Sequence, residues 1–249
     1  MFNQDDINTI REKVTSYISM FSYDDNLTEK FPIHVISDSS VEKYEIYRNN
    51  GIVIRDVEES GTKEMYRQLM FQNNENEIQS EVKLKLSSKV KAKDSGYIVL
   101  PTADKFASKH LVTCLNNEYI SNFYQRCIIS AFLLIRNHIP NQKIKVLILG
   151  AGIGSLGVYL KEVFKNNITI DSVEIDEKFR NIGKEYFGFN DFEGNTWYFE
   201  DGLKFVESRA KQNIKYDVII NDINNFNSKE GLSPPGVFFT ESLLKDINV

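Results

Sequence analysis

From Lys145 to Asp222 the chain alternates two kinds of segment, and that alternation constrains the fold more than anything else in the sequence. KVLILG (145–150) is a continuous apolar run, as expected for a strand buried on both faces. A helix is predicted at about 155–165, then a strand at 168–176 and a helix at 177–187. A third strand at 195–200 and helix at 202–211 lead to a fourth strand, YDVIIND, at 216–222. PPGVFFTESLLKDI (234–247) starts a last helix, with its prolines near the first turn, where they are tolerated. Such β-α-β-α repetition predicts a parallel, doubly wound α/β sheet.

The N-terminal part has a different period. Residues 1 to about 22 place Ile7, Ile10, Val14, Tyr17, Ile18 and Phe21 on one helical face. Short segments rich in β-branched and aromatic residues follow, at 31–37, 43–49, 51–57, 65–71 and 77–86. Asn-Asn-Gly, Ser-Gly-Thr and Asn-Asn-Glu-Asn punctuate them, which is the pattern of antiparallel hairpins. Residues 87–116 read as a loop or surface excursion. The lysines at 83, 85, 89, 91 and 93 read as a solvated strand edge. YISNFYQRCIISAFLLIR, up to Arg136, is helical. The expected domains are therefore 1–116, a helix plus a small β-hairpin-rich subdomain, and 117–249, a Rossmann-like α/β domain.

Composition narrows the partners. Thirty basic against 35 acidic side chains give a net charge of −5, whereas a protein that holds nucleic acid through phosphates is usually basic. No run approaches the roughly 18 apolar residues of a membrane span, and the acidic N-terminus carries no signal peptide. Cys114 and Cys127 read as reduced thiols of a cytoplasmic protein. His34, His110 and His138 share no metal-ligand spacing, so no metal site is expected.

The chemistry gathers at strand ends. Gly150-Ala151-Gly152-Ile153-Gly154-Ser155 ends one buried strand and opens a helix. Glycines let the backbone turn tightly and let a ligand approach, and the helix N-terminus adds unpaired N–H groups and partial positive charge. Glu174 closes the second strand, where a carboxylate can accept both hydroxyls of a ribose. Asp201 and Gly202 close the third, where an acid can accept from an adenine amino group. Asp222 closes the fourth and faces the same crevice. Singly, such acids are often helix caps or solvated turn residues. Ser155 replaces the last glycine of a dinucleotide fingerprint, and no Gly-Lys-Ser/Thr loop is present. An adenosyl-sulfonium site therefore outranks a nicotinamide dehydrogenase or a P-loop triphosphatase.

VLILGAGIGSLGVYL, DSVEID, FEDGLKFV and YDVIINDIN resemble the spermidine-synthase-like branch of S-adenosylmethionine-dependent methyltransferases. MYRQLMFQNNENEIQSEVKL, EYISNFYQRCIISAFLLIRN, KEYFGFN and GLSPPGVFFTESLL extend the resemblance over residues 50–247, and Phe187-Gly188-Phe189 and the Gln79-Ser80 strand make it specific. The resemblance implies a class I methyltransferase sheet with S-adenosylmethionine as cofactor. Gly150, Gly152 and Gly154 would line its methionine part, Glu174 its ribose and Asp201 its adenine. Asp222 would sit beside the reacting amine, and Gln79 and Tyr119 would complete the crevice. The implied acceptor is a protein amine, in members of this branch that of translation elongation factor 1-alpha, at its N-terminus or a lysine. A homodimer is compatible with this reading.

Two departures bear on it. Polyamine synthases of the superfamily usually carry an acid inside the glycine loop and several acids after the fourth strand. Here those positions are Ile153 and Asp222-Ile223-Asn224-Asn225, so aminopropyl transfer to a polyamine becomes the alternative. The family sheet also continues for three strands after the last helix. The expectation is a C-terminally incomplete sheet whose fourth strand, Asp217–Ile220, has an open edge. A non-catalytic scaffold is the third reading.

Overall fold

The computed structural model describes residues 41–59, 62–89, 91, 98–115, 123–136, 143–223 and 236–240. All of them belong to one unit, Val41–Val249. The helix expected over 1–22, the strand at 31–37, Tyr119, Asn224, Asn225 and the last helix beyond residue 240 lie outside the described residues.

The N-terminal half forms an antiparallel sheet of β1 (Val41–Asn49), β2 (Ile52–Glu59), β3 (Met65–Phe71), β4 (Asn74–Ser88), β5 (Val99–Leu100) and β6 (Leu111–Leu115). Their spatial order is β1-β2-β3-β4-β6-β5. The hairpins predicted within residues 43–86 are present, each strand pairing antiparallel with the next. Residues 87–116, expected as a loop, instead carry the end of β4, β5, a single helical turn α1 (Asp104–Ala107) and β6, which pairs with Leu84–Ser88. Two-residue and five-residue strands give too short a pattern to register as strands in the sequence. The lysine stripe is corrected in part: Lys89 and Lys91 are exposed and Lys93 lies outside the described residues, but the first two lysines are not at a sheet edge. Lys83 and Lys85 sit on a strand placed between β3 and β6, and Lys83 Nζ pairs with Glu64 at 2.5 Å.

The C-terminal half follows the predicted alternation. It comprises α2 (Phe123–Arg136), β7 (Ile144–Leu149), α3 (Ser155–Phe164), β8 (Ile168–Glu174), α4 (Glu177–Phe187), β9 (Asn195–Phe199), α5 (Gly202–Lys211) and β10 (Val218–Asn221). The strands run parallel in the order β10-β7-β8-β9. Chain order thus reverses between β7 and its two neighbours, and the carboxyl ends of β7 and β10 flank the switch point where open α/β sheets bind ligands. Gly236–Phe239 forms a 3-10 turn where the start of the last helix was expected.

Period-two alternation along β7 explains its continuous apolar run. Val146 and Ile148 face a core with Phe132 of α2 and Leu156 and Leu160 of α3. Leu147 and Leu149 face the opposite core with Phe205 and Val206 of α5. Each fully buried Leu, Ile or Phe contributes about 1.5–3 kcal/mol. A third core joins the two sheets. Ile52, Leu69 and Val82 of the antiparallel sheet pack there with Ile182 and Phe187 of α4 and with Phe189 beyond it. Arg67 of β3 crosses the same boundary. Its guanidinium grips Asp56 at 2.7 and 2.9 Å and donates to the carbonyls of Tyr186 and Pro101, each at 2.6 Å. Arg67 and Asp56 are both fully buried. No helix among the described residues is long and apolar enough to cross a membrane.

Candidate functional site

The carboxyl ends of the parallel strands and the β3–β4 hairpin enclose a cavity of about 830 Å3. Gly150 follows β7 directly. A Cβ at this position would meet the backbone carbonyl oxygen of Asp222 at 2.7 Å, so only glycine lets β10 finish beside the loop. The φ angles of Gly150, Gly152 and Gly154 are 77°, 53° and 91°. The Gly150 and Ala151 N–H groups both donate to the Val173 carbonyl at 2.9 Å, which ties the loop to β8.

Glu174 ends β8 and is 8% exposed. Its Oε2 accepts from the Gly152 N–H at 2.9 Å and its Oε1 from the Asp176 N–H at 3.2 Å. Burial pushes its carboxyl above the ordinary range, while those backbone donors oppose the shift. Asp201 caps α5 through Oδ1, which accepts from the N–H groups of Leu203 and Lys204 at 3.0 and 3.1 Å. The capping role and the cavity role coincide, since Asp201 and Gly202 also line the cavity. Gly154 differs from its two partners. It does not line the cavity but packs over Trp197, 3.0 Å from where a Cβ would lie.

Asp222 follows β10, its N–H donating to the Leu149 carbonyl at 2.9 Å. Burial pushes its carboxyl up to about 6, and a hydrogen bond with the Tyr124 hydroxyl pulls the other way. Burial and the adjoining carboxylate push the Tyr124 phenol up to about 12. Tyr124 and Gln125 open α2, and Gln125 Nε2 donates to Ser155 Oγ at 2.5 Å, joining α2 to the first residue of α3.

The antiparallel sheet supplies the facing wall. Leu69 pairs with Ser80 and Met70 with Ile78, so Gln79 is the extra residue of a β-bulge. Bulges re-aim side chains, and Gln79 and Ser80 both line the cavity. Phe71 meets Phe179 of α4 edge to face, centroids 6.0 Å apart. Among the described residues, every ionisable side chain lining the cavity apart from the Tyr124 phenol is a carboxylate: Glu77, Glu174, Glu200, Asp201 and Asp222.

The cavity thus gathers Gly150, Gly152, Glu174, Asp201, Gly202, Asp222 and Gln79. Sequence reasoning missed Tyr124, Gln125, Glu77 and Glu200. A polar Tyr-Gln pair at the head of an otherwise apolar helix was the available signal for the first two. Glu200 stood beside an acid already singled out.

The fold and the cavity define a Rossmann-like protein with its ligand crevice at the switch point. The model of the spermine/spermidine synthase domain matches residues 121–246, half of the chain, and the chain belongs to that family. It is 28% identical over 204 residues to the eEF1A lysine and N-terminal methyltransferase of Xenopus laevis, covering 79% of this chain and 29% of that relative. The chain therefore spans about three-tenths of the length of that relative. It is also 37% identical over 107 residues to a polyamine aminopropyltransferase of Clostridium beijerinckii, covering 38% of this chain and 35% of the relative. The crystal structure of a probable spermidine synthase from Corynebacterium glutamicum shares the fold, with a TM-score of 0.52 at 18% identity. The match covers 82% of this chain and 58% of the other.

Proposed function

We propose that this protein transfers a methyl group from S-adenosylmethionine to an amine of a protein, with translation elongation factor 1-alpha, at its N-terminus or a lysine, as the acceptor to test first. A cytosolic setting goes with that acceptor. On this reading residues 117–249 hold the cofactor and the sheet before residue 116 supplies the acceptor wall. The observation that carries the reading is Asp222, a largely buried carboxylate tethered by Tyr124 at the end of the cavity that holds the glycine loop.

The cavity suits the cofactor. A Cβ built on Gly152 would meet nothing within 4 Å, so the loop presents bare backbone to open space. Glu174 offers a fixed carboxylate for a ribose and Asp201 keeps its Oδ2 for an amino group. The five carboxylates that line the cavity among the described residues favour a positively charged ligand. When bound, S-adenosylmethionine supplies a methyl group on a positively charged sulfur.

Asp222 then holds the acceptor amine. Its carboxylate accepts a hydrogen bond from the amine N–H, orients the nitrogen lone pair and stabilises the ammonium that forms. A carboxyl held near pH 6 is ionised at neutral pH and can accept the proton that the ammonium gives up. Positioning of this kind is worth about 7–11 kcal/mol in favourable systems.

One observation favours the second reading. Glu77 and Glu200 add carboxylates to the cavity that the Asp222-Ile223-Asn224-Asn225 run does not supply, and a polyamine calls for several. Calorimetric titration with S-adenosylmethionine and with its decarboxylated form separates the readings. Preference for the intact cofactor, lost in Glu174→Ala, is expected. Preference for the decarboxylated form would replace methyl transfer by aminopropyl transfer, and binding of neither would leave a scaffold.

A further inference from the structure

Gly183 lies in the interior of α4, buried, and does not line the cavity. A Cβ built there would lie 2.1 Å from the carbonyl oxygen of Ile153, 3.0 Å from its carbonyl carbon and 3.3 Å from its Cα. The contact is backbone against backbone, so no change of rotamer relieves it. Alanine is much the better helix former, and the end of α4 is closed by Gly188, not Gly183. Glycine at 183 is explained by the approach of the helix to the loop.

Ile153 is the centre of that loop. Gly152 before it donates to Glu174, and Gly154 after it caps α3. Its own side chain is 2% exposed and sits in the core with Leu69 and Ile182, the neighbour of Gly183. The loop is therefore seated against α4, through Gly183, which lies outside the cavity lining.

We propose that Gly183 is a positioning residue for the cofactor: by letting the α4 backbone close on Ile153, it sets where the Gly152 amide stands relative to Glu174. The inference rests on the reading that this loop holds S-adenosylmethionine. Gly183→Ala must shift the Ile153 backbone relative to α4, and Gly152 with it, without replacing any residue that lines the cavity. Gly157→Ala, on α3, is the control, because a Cβ there meets its nearest atoms at 3.8 Å, an ordinary contact.

The test is calorimetric titration of the full chain with S-adenosylmethionine, alongside thermal unfolding without ligand. Gly183→Ala is expected to bind at least tenfold more weakly, and Gly157→Ala within twofold of the unsubstituted protein. A purely structural glycine would lower Tm and leave the affinity of the folded protein unchanged. Affinity of Gly183→Ala within twofold of the parent overturns the inference while leaving the function proposal standing. An unsubstituted chain that binds no S-adenosylmethionine overturns both. Should Gly183→Ala not fold, hydrogen exchange of the parent chain decides. Saturating S-adenosylmethionine is expected to slow the amides of residues 182–184 together with 151–153, and protection confined to 151–153 overturns the inference.

Discussion

The Tyr124 hydroxyl, from the head of α2, is hydrogen-bonded to the carboxyl of Asp222, at the end of β10. Two elements far apart in sequence thus fix one acid, and the bond opposes the upward push of burial. Tyr124→Phe is expected to lower kcat about tenfold, the scale of a hydrogen bond to a charged group. The acid limb of the pH–rate profile should begin near pH 6 and move upward in this variant, since the bond that held the carboxyl down is gone. An unmoved limb would show that Asp222 does not set it.

Asp222→Asn keeps a hydrogen-bond acceptor for Tyr124 but cannot take a proton. Turnover should fall by about 100-fold or more, in the range of lost acid–base catalysis, with S-adenosylmethionine affinity within a few fold. Stability supplies an independent check. Burial pushes the folded carboxyl up to about 6 from its ordinary 3.8, so the stability it confers is full below 3.8 and lost as pH rises through 6. Asp222→Asn should therefore gain Tm relative to the parent at pH 7.5 and not at pH 3.5.

Glu174 holds the Gly152 amide as well as facing the cavity. Glu174→Ala removes both roles, whereas Glu174→Gln leaves an oxygen for the amide. Calorimetry should show the alanine variant binding S-adenosylmethionine more than tenfold more weakly, with glutamine in between. Equal losses would mean that the charge alone matters.

The Arg67–Asp56 pair is buried on both sides within the antiparallel sheet, and Arg67 reaches from it to the Tyr186 carbonyl of α4. Removing one partner strands the other charge, at a cost of about 3–5 kcal/mol. Asp56→Asn should lower the urea midpoint accordingly, and the double variant Asp56→Leu/Arg67→Met should recover most of the loss. A midpoint unchanged in the single variant would mean that Arg67 is satisfied by the Tyr186 and Pro101 carbonyls.

Trp197 is the only tryptophan, and its ring lies under Gly154 with the Arg180 guanidinium 4.8 Å from its centroid. Its emission should change on addition of S-adenosylmethionine with the calorimetric Kd. Emission that stays flat through saturation would show that ligand at the loop does not reach β9.

The parallel half was legible because burial on both faces leaves uninterrupted apolar runs such as KVLILG, and because strand-end acids and glycines lie next to those runs. Glu174, Asp201 and Asp222 come to one cavity by topology alone, as parallel strands all end on the same side. β5 and β6 were not legible, because β6 pairs with β4 across a long stretch of chain and β5, which pairs with β6, is a two-residue strand without a period. Gln79 reaches the cavity through a one-residue bulge, which alternation cannot forecast. Tyr124 was hidden for another reason: its partner is 98 positions away, and helix periodicity says nothing about what a helix head touches.

The seam between Gly150 and Asp222 has a consequence for how such a site can diverge. Loop and acid share a backbone contact with no room for a methyl group, so neither can move without the other. On the proposed reading, donor grip and base are a single fixed tool. A new acceptor has to be written instead into the hairpin from Phe71 to Ser80, which closes the cavity from the other sheet. There, one inserted or deleted residue reshapes the wall and leaves the tool untouched.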